Sequence, residues 1–157
     1  MAAFLTDQEL ADLLAERKVL PADWKKRLML KAKRGHSESD LEINGDQGSE
    51  FRLMQRRSDL NPLDFSVVLA YRVPGSNQVL RLKRYNGKSH EHSNPIEKER
   101  FYDFHVHTAT ERYQQTGNKE ETFAEVTDRY ANLDEATKCL FEDCNFAIPE
   151  LPQGELF

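Results

Sequence analysis

Four of the five histidines in this 157-residue chain fall within eighteen positions, as two pairs, His90-Glu91-His92 and His105-Val106-His107. Imidazole titrates close to neutrality, so it can give or take a proton at pH 7, or bind a metal ion in its neutral form. Both pairs follow the basic run Arg81-Leu82-Lys83-Arg84-Tyr85. Clustered imidazoles beside clustered cations describe a polar site for a phosphate or a metal ion.

Two chemistries fit those residues. In the first, RNA is cleaved without a metal. One imidazole takes the proton of a ribose 2′-hydroxyl, another protonates the departing 5′-oxygen, and cations stabilise charge on the phosphoryl oxygens. The catalytic candidates are His90, His92, His105 and His107. Arg81, Lys83, Arg84 and Tyr85 are the candidate substrate contacts, and Asp103 can fix the tautomer of a neighbouring imidazole. This reading uses both the histidine density and the positive charge, so it ranks first, and it calls for no cofactor. The second chemistry is a metal site, with Asp103, His105 and His107 joined by His90 or His92 around zinc, iron or manganese. A plainer reading stands beside both: histidines on the wet face of a sheet that hydrogen-bond water, Glu91 or Asp103.

Charge distribution supports an anionic ligand. The chain carries a net charge of −5, which argues against coating nucleic acid with its whole surface. Yet Phe51 to Lys88 holds eight basic residues against Asp59 and Asp64 alone. A local positive field inside an acidic molecule suits RNA or an acidic partner better than a membrane. Two cysteines, Cys139 and Cys144, are too few for a disulfide scaffold, and no signal peptide or apolar span of ~20 residues is evident. A cytoplasmic protein without membrane association is the expectation.

The elements that must position the site follow from periodicity. The length suits one α+β domain over 1–146 with an irregular tail over 147–157. Thr6 and Glu9 have capping-box spacing ahead of Leu10, Leu13 and Leu14, which predicts a helix ending near Lys18. Pro21, Trp24, Leu28 and Ala32 predict a second helix stopped by Gly35, and so an N-terminal αα-hairpin. About five strands of a mainly antiparallel β-meander come next. The third, Asp64 to Val73, puts Phe65, Val67, Leu69 and Tyr71 on one face. The fourth, Gln78 to Tyr85, puts Arg81, Lys83 and Tyr85 opposite Leu80 and Leu82. A polar loop over Asn86 to Glu99 carries the first histidine pair. The fifth strand, Phe101 to Ala109, sets Asp103, His105 and His107 on one polar face, side chains at i and i+2 lying roughly 6.5–7 Å apart. Thr110 to Ala131 has no clear period. Asn132 opens a C-terminal helix, with Leu133, Ala136, Leu140 and Phe141 turned onto the sheet.

The run from Leu80 to His92, with Phe104-His105-Val106-His107, resembles the signature of TumE-type toxins of bacterial toxin–antitoxin pairs. That pattern is a strand ending in Arg-Tyr-Asp-Asn, a histidine-bearing loop, a second His-x-His stretch and a helix. The match touches Arg84, Tyr85, Asn86, His90, His92, His105 and His107, with Asn86-Gly87 in place of Asp-Asn. The resemblance implies a small RNase-like toxin acting on RNA and held by a cognate antitoxin protein. A homodimer is a separate expectation. The rival expectation is a non-catalytic interaction protein, such as a phage-borne inhibitor or adaptor, whose basic patch binds an acidic protein or nucleic acid.

Overall fold

The structure is a computed structural model and describes residues 4–149. Its chain opens with α1 (Asp7–Ala15), which starts where the capping box places it: Thr6 Oγ1 accepts from the Glu9 amide, and Glu9 Oε1 from the Thr6 amide. There follow β1 (Lys18–Val19), α2 (Trp24–Arg27), β2 (Lys31–Ala32), β3 (His36–Asn44), β4 (Glu50–Ser58), β5 (Phe65–Arg72) and β6 (Val79–Asn86). The second half comprises β7 (His92–Asn94), β8 (Glu99–Phe101), β9 (His105–Thr108), α3 (Glu111–Gln115), β10 (Ala124–Val126), α4 (Leu133–Asp143) and β11 (Phe146–Ala147).

Seven strands form one antiparallel sheet in the order β10-β9-β6-β5-β4-β3-β2. The architecture is therefore mixed α+β, as the periodicity predicts, with two strands more than the expected meander. Both additions are short edges, where a few residues suffice to close the ladder. Strand alternation points Leu41 and Ile43 of β3, Phe51 and Leu53 of β4, and Phe65, Val67 and Leu69 of β5 into one apolar layer. Leu10 of α1, Trp24 of α2 and Leu133, Ala136, Leu140 and Phe141 of α4 cover that layer.

The second helix is far shorter than the sequence suggests. Trp24 and Leu28 are buried at the expected i, i+4 spacing, but only Trp24–Arg27 is helical. Beyond Met29 the chain turns into β2, whose hairpin with β3 is closed by Gly35 at φ +82. Gly35 thus serves as the turn of a β-hairpin rather than a helix stop. As an edge strand, Lys31 and Ala32 satisfy backbone groups of β3 while their side chains stay in solvent, and a charged two-residue edge resists further pairing. The αα-hairpin expected here is accordingly a helix followed by a single helical turn.

Lys18 pins the helical layer. Its side chain is wholly buried, and Nζ donates to the carbonyls of Leu13, Leu14 and Glu16 at the end of α1 and of Cys144 after α4, at 2.7–3.1 Å. The Phe51 ring centroid lies 4.6 Å from the ammonium. Burial draws the Lys18 pKa down to about 8, so the group is still charged at neutral pH, where two helix C-termini favour a cation. Lys18→Met should strand those carbonyls and lower stability by about 3 kcal/mol, read from urea denaturation. Next to Lys18, β1 pairs in parallel with β11. Ala147, expected in an irregular tail, is therefore in a strand, and residues 150–157 lie outside the described residues.

A β-bulge decides which side chains of β6 reach which face. Val67 pairs with Tyr85 and Leu69 with Lys83, but Ala70 then pairs with Arg81, so Leu82 is the extra residue. Alternation is broken at that point. Arg81 and Arg84, three residues apart, share the face away from the helices. Tyr85 is fully buried on the helix side, where its hydroxyl donates to Asp143 of α4, and Lys83 Nζ lies 5.5 Å from its ring centroid. Strict alternation had grouped Arg81 with Lys83 and Tyr85. The bulge removes Lys83 and Tyr85 from the candidate substrate contacts.

Candidate functional site

Pairing of β6 with β9 sets Arg84 opposite His107 and Asn86 opposite His105, all on the face away from the helices. Gly87 makes the exit from β6 possible, because a Cβ there would sit 2.0 Å from the Leu63 carbonyl oxygen. The chain then folds back over this face. The hairpin β7–β8 spans the end of the expected polar loop and the start of the expected fifth strand. That strand is broken at 102–104, so that only His105–Thr108 pairs with β6. The hairpin carries His92 directly onto the strand pair. Ring centroids of His92 lie 5.2 Å from His105 and 4.7 Å from His107, and His105 and His107 are 4.9 Å apart. His90 stands at the rim, exposed, with its centroid 6.0 Å from that of His105. All four histidines singled out in the sequence thus meet at one place. His105 and His107 are 0% and 3% exposed, and Phe101 packs on His92 and His105.

Asn94 fixes the hairpin. Its Nδ2 donates to the Ala124 carbonyl at 2.7 Å and its Oδ1 accepts from the Ala124 amide at 2.9 Å, locking β7 to β10. Those two backbone bonds settle which end of the amide is oxygen. His92 Nε2, 2.9 Å from Oδ1, must therefore donate, which leaves His92 Nδ1 as its lone-pair nitrogen. His105 Nδ1 donates to the Asp103 carbonyl at 2.7 Å, and His107 Nδ1 donates to the Glu121 carbonyl at 2.8 Å. Nε2 is then the lone-pair nitrogen of each. Asp103 does orient His105, but through its main chain; its side chain is exposed. Below the site, the Tyr130 hydroxyl is shared between the carbonyls of Asn86 and His105 and ties β6 to β9.

Burial, with the Arg84 charge and the adjoining imidazoles adding to it, holds His105 down to about 4 and His107 down to about 2. Both rings are neutral at pH 7. Arg84 meets the carboxylate of Glu121, which is 1% exposed, across 3.4 Å. Burial also lowers the Arg84 pKa, with Glu121 opposing the shift. Four buried side-chain atoms of this neighbourhood make no hydrogen bond to protein: Arg84 Nε, Asn86 Oδ1, His105 Nε2 and Glu121 Oε2. Native folds leave few buried polar atoms without partners, and here they concentrate beside the histidine cluster.

A groove of about 570 Å³ runs across the same face of the sheet, floored by Met54, Ser66 and Val68, and reaches Arg81 and Arg84. Seven cations line it against the two carboxylates of Glu38 and Asp40. Lys31, Lys33 and Arg81 have no ion pair among the described residues, whereas Arg52 and Arg56 are paired with Asp40 and Asp64. Three contributors escaped the sequence reading. Glu121 sits in the stretch without period, Asn94 lies in the expected polar loop, and Asn86 enters only as a matched position of the resemblance, with no role assigned. Only the pairing of β9 with β10 and β6 reveals them. No family model matches the chain, and no curated protein or solved structure matches it either.

Proposed function

We propose that this chain is an RNase-like enzyme that cleaves RNA where the basic groove meets the histidine cluster. On the resemblance to TumE-type toxins, we assign it the toxin's part in a toxin–antitoxin pair. The observation that carries the reading is the continuity of the two features: Arg84 lines the groove and also faces His107 across the β6–β9 ladder. A polyanion held along Lys31, Lys33 and Arg81 would bring a phosphodiester to Arg84.

In cleavage, the ribose 2′-oxygen bonds to phosphorus as the bond from phosphorus to the 5′-oxygen breaks. The 2′-hydroxyl proton passes to a base, and the 5′-oxygen takes a proton as it leaves. Arg84 and Arg81 stabilise charge on the phosphoryl oxygens. His90 is the exposed imidazole of the four and exchanges protons with the substrate. His105 and His107 are too deeply buried to touch an RNA backbone, so their part is to shape and polarise the centre beneath it.

The test is incubation of purified protein with a labelled single-stranded RNA. The reading expects fragments ending in a 2′,3′-cyclic phosphate, with salt suppressing binding steeply because neutralising several phosphates releases their counterions. RNA that is bound and never cut would favour the non-catalytic interaction reading, with the groove as its binding surface.

A further inference from the structure

We infer that His92 Nδ1, His105 Nε2 and His107 Nε2 bind a divalent transition-metal ion of the zinc class. The ion site stands on geometry alone, whereas any part it plays in RNA cleavage rests on the reading above.

Three observations converge. One ligand atom from each of the three imidazoles lies within 4.8 Å of the others. Imidazole nitrogens on a tetrahedral zinc, each at about 2.0–2.1 Å from it, are about 3.3–3.5 Å apart, so a small inward shift closes the set. Next, every ring spends its other nitrogen on an acceptor held by the backbone: the Asp103 carbonyl, the Glu121 carbonyl, and the Asn94 oxygen that Ala124 fixes. Metal-binding histidines are oriented by such bonds, which set the tautomer and aim the lone pair. Finally, His105 Nε2 is buried with no hydrogen-bond partner, a costly arrangement for a nitrogen that only packs.

Three neutral nitrogen donors suit zinc, iron(II), cobalt(II) or nickel(II) better than magnesium or calcium, which prefer oxygen. Three protein ligands also leave a coordination position open, as in zinc sites that bind water or a substrate oxygen. Asn86 Oδ1, buried without a hydrogen-bond partner and carried opposite His105, is placed to hydrogen-bond a molecule in that position.

Titration of the full chain with zinc chloride alone, by calorimetry and by metal content after dialysis, should give one ion per chain. His92→Ala, His105→Ala and His107→Ala should each weaken binding at least about 100-fold, while His90→Ala keeps it. Because buried histidine variants can misfold, the decisive readout uses the wild-type protein. In imidazole nitrogen NMR, zinc should shift Nδ1 of His92 and Nε2 of His105 and His107, and leave the protonated nitrogens of all three rings protonated. Absence of zinc binding at micromolar concentration, or zinc held by other nitrogens, overturns the site. Zinc binding without RNA cleavage would sink the RNase reading and leave the site standing, and cleavage by protein that cannot bind zinc would do the reverse.

Discussion

His107→Ala should reduce RNA cleavage about 10³-fold or more, equivalent to about 4 kcal/mol of transition-state stabilisation. His107 is chosen because its ring lies within 4.7 and 4.9 Å of the His92 and His105 centroids and donates its Nδ1 hydrogen to the Glu121 carbonyl. Truncation removes a donor nitrogen and frees the Glu121 carbonyl in one step. Initial rates on a labelled oligonucleotide, with circular dichroism to show that the sheet is intact, measure the effect. Growth on induced expression provides a second view: the wild type should arrest it and the variant should not. Full activity in a folded His107→Ala protein would remove the cluster from the chemistry.

The second large effect concerns Arg84, which serves two partners. Arg84→Met keeps much of the side chain's bulk and removes the charge. The buried Glu121 carboxylate is then uncompensated, at a cost of about 3–5 kcal/mol in unfolding free energy. Cleavage should fall about 10²–10³-fold because the cation that faces His107 and lines the groove is lost. The two losses separate in a double variant. Adding Glu121→Gln removes the stranded charge and should restore most of the stability, measured by urea denaturation, without restoring cleavage. If the double variant cuts RNA at the wild-type rate, Arg84 is only the counter-ion of Glu121.

Much of this arrangement is legible in the sequence where one local rule decides the outcome. The capping box fixes the start of α1, and alternation fixes the core face of β5, because each depends on residues a few positions apart. The histidines are visible as types and spacing, and strand alternation puts His105 and His107 on one face. What fails to show is everything set by partners distant in the chain. The bulge at Leu82 depends on how β6 meets β5, and it exchanges Lys83 and Tyr85 for Arg84 as the companion of Arg81. The fold-back of His92 depends on Asn94 finding Ala124, thirty residues away. The short α2 has the same origin, since β3 offers Lys31 and Ala32 a ladder that competes with helix. Glu121 lies in a segment with no apolar period at all, so nothing local marks it for burial.

These placements also change which chemistry the histidines favour. Metal-free catalysis asks two imidazoles to face the substrate in opposite protonation states. Here one is exposed at the rim, and the other three each offer a ligand atom within 4.8 Å of the others. We therefore propose an RNA-cutting centre assembled around a histidine-held ion, at the end of the cation-lined groove.

Its most direct test compares cleavage of one labelled single-stranded RNA by wild-type protein stripped of metal and by the same protein after one equivalent of zinc is restored. The account predicts that the stripped protein is inactive, that zinc restores cleavage, and that His107→Ala stays inactive in both states. Equal cleavage by the stripped and the zinc-loaded protein would contradict it.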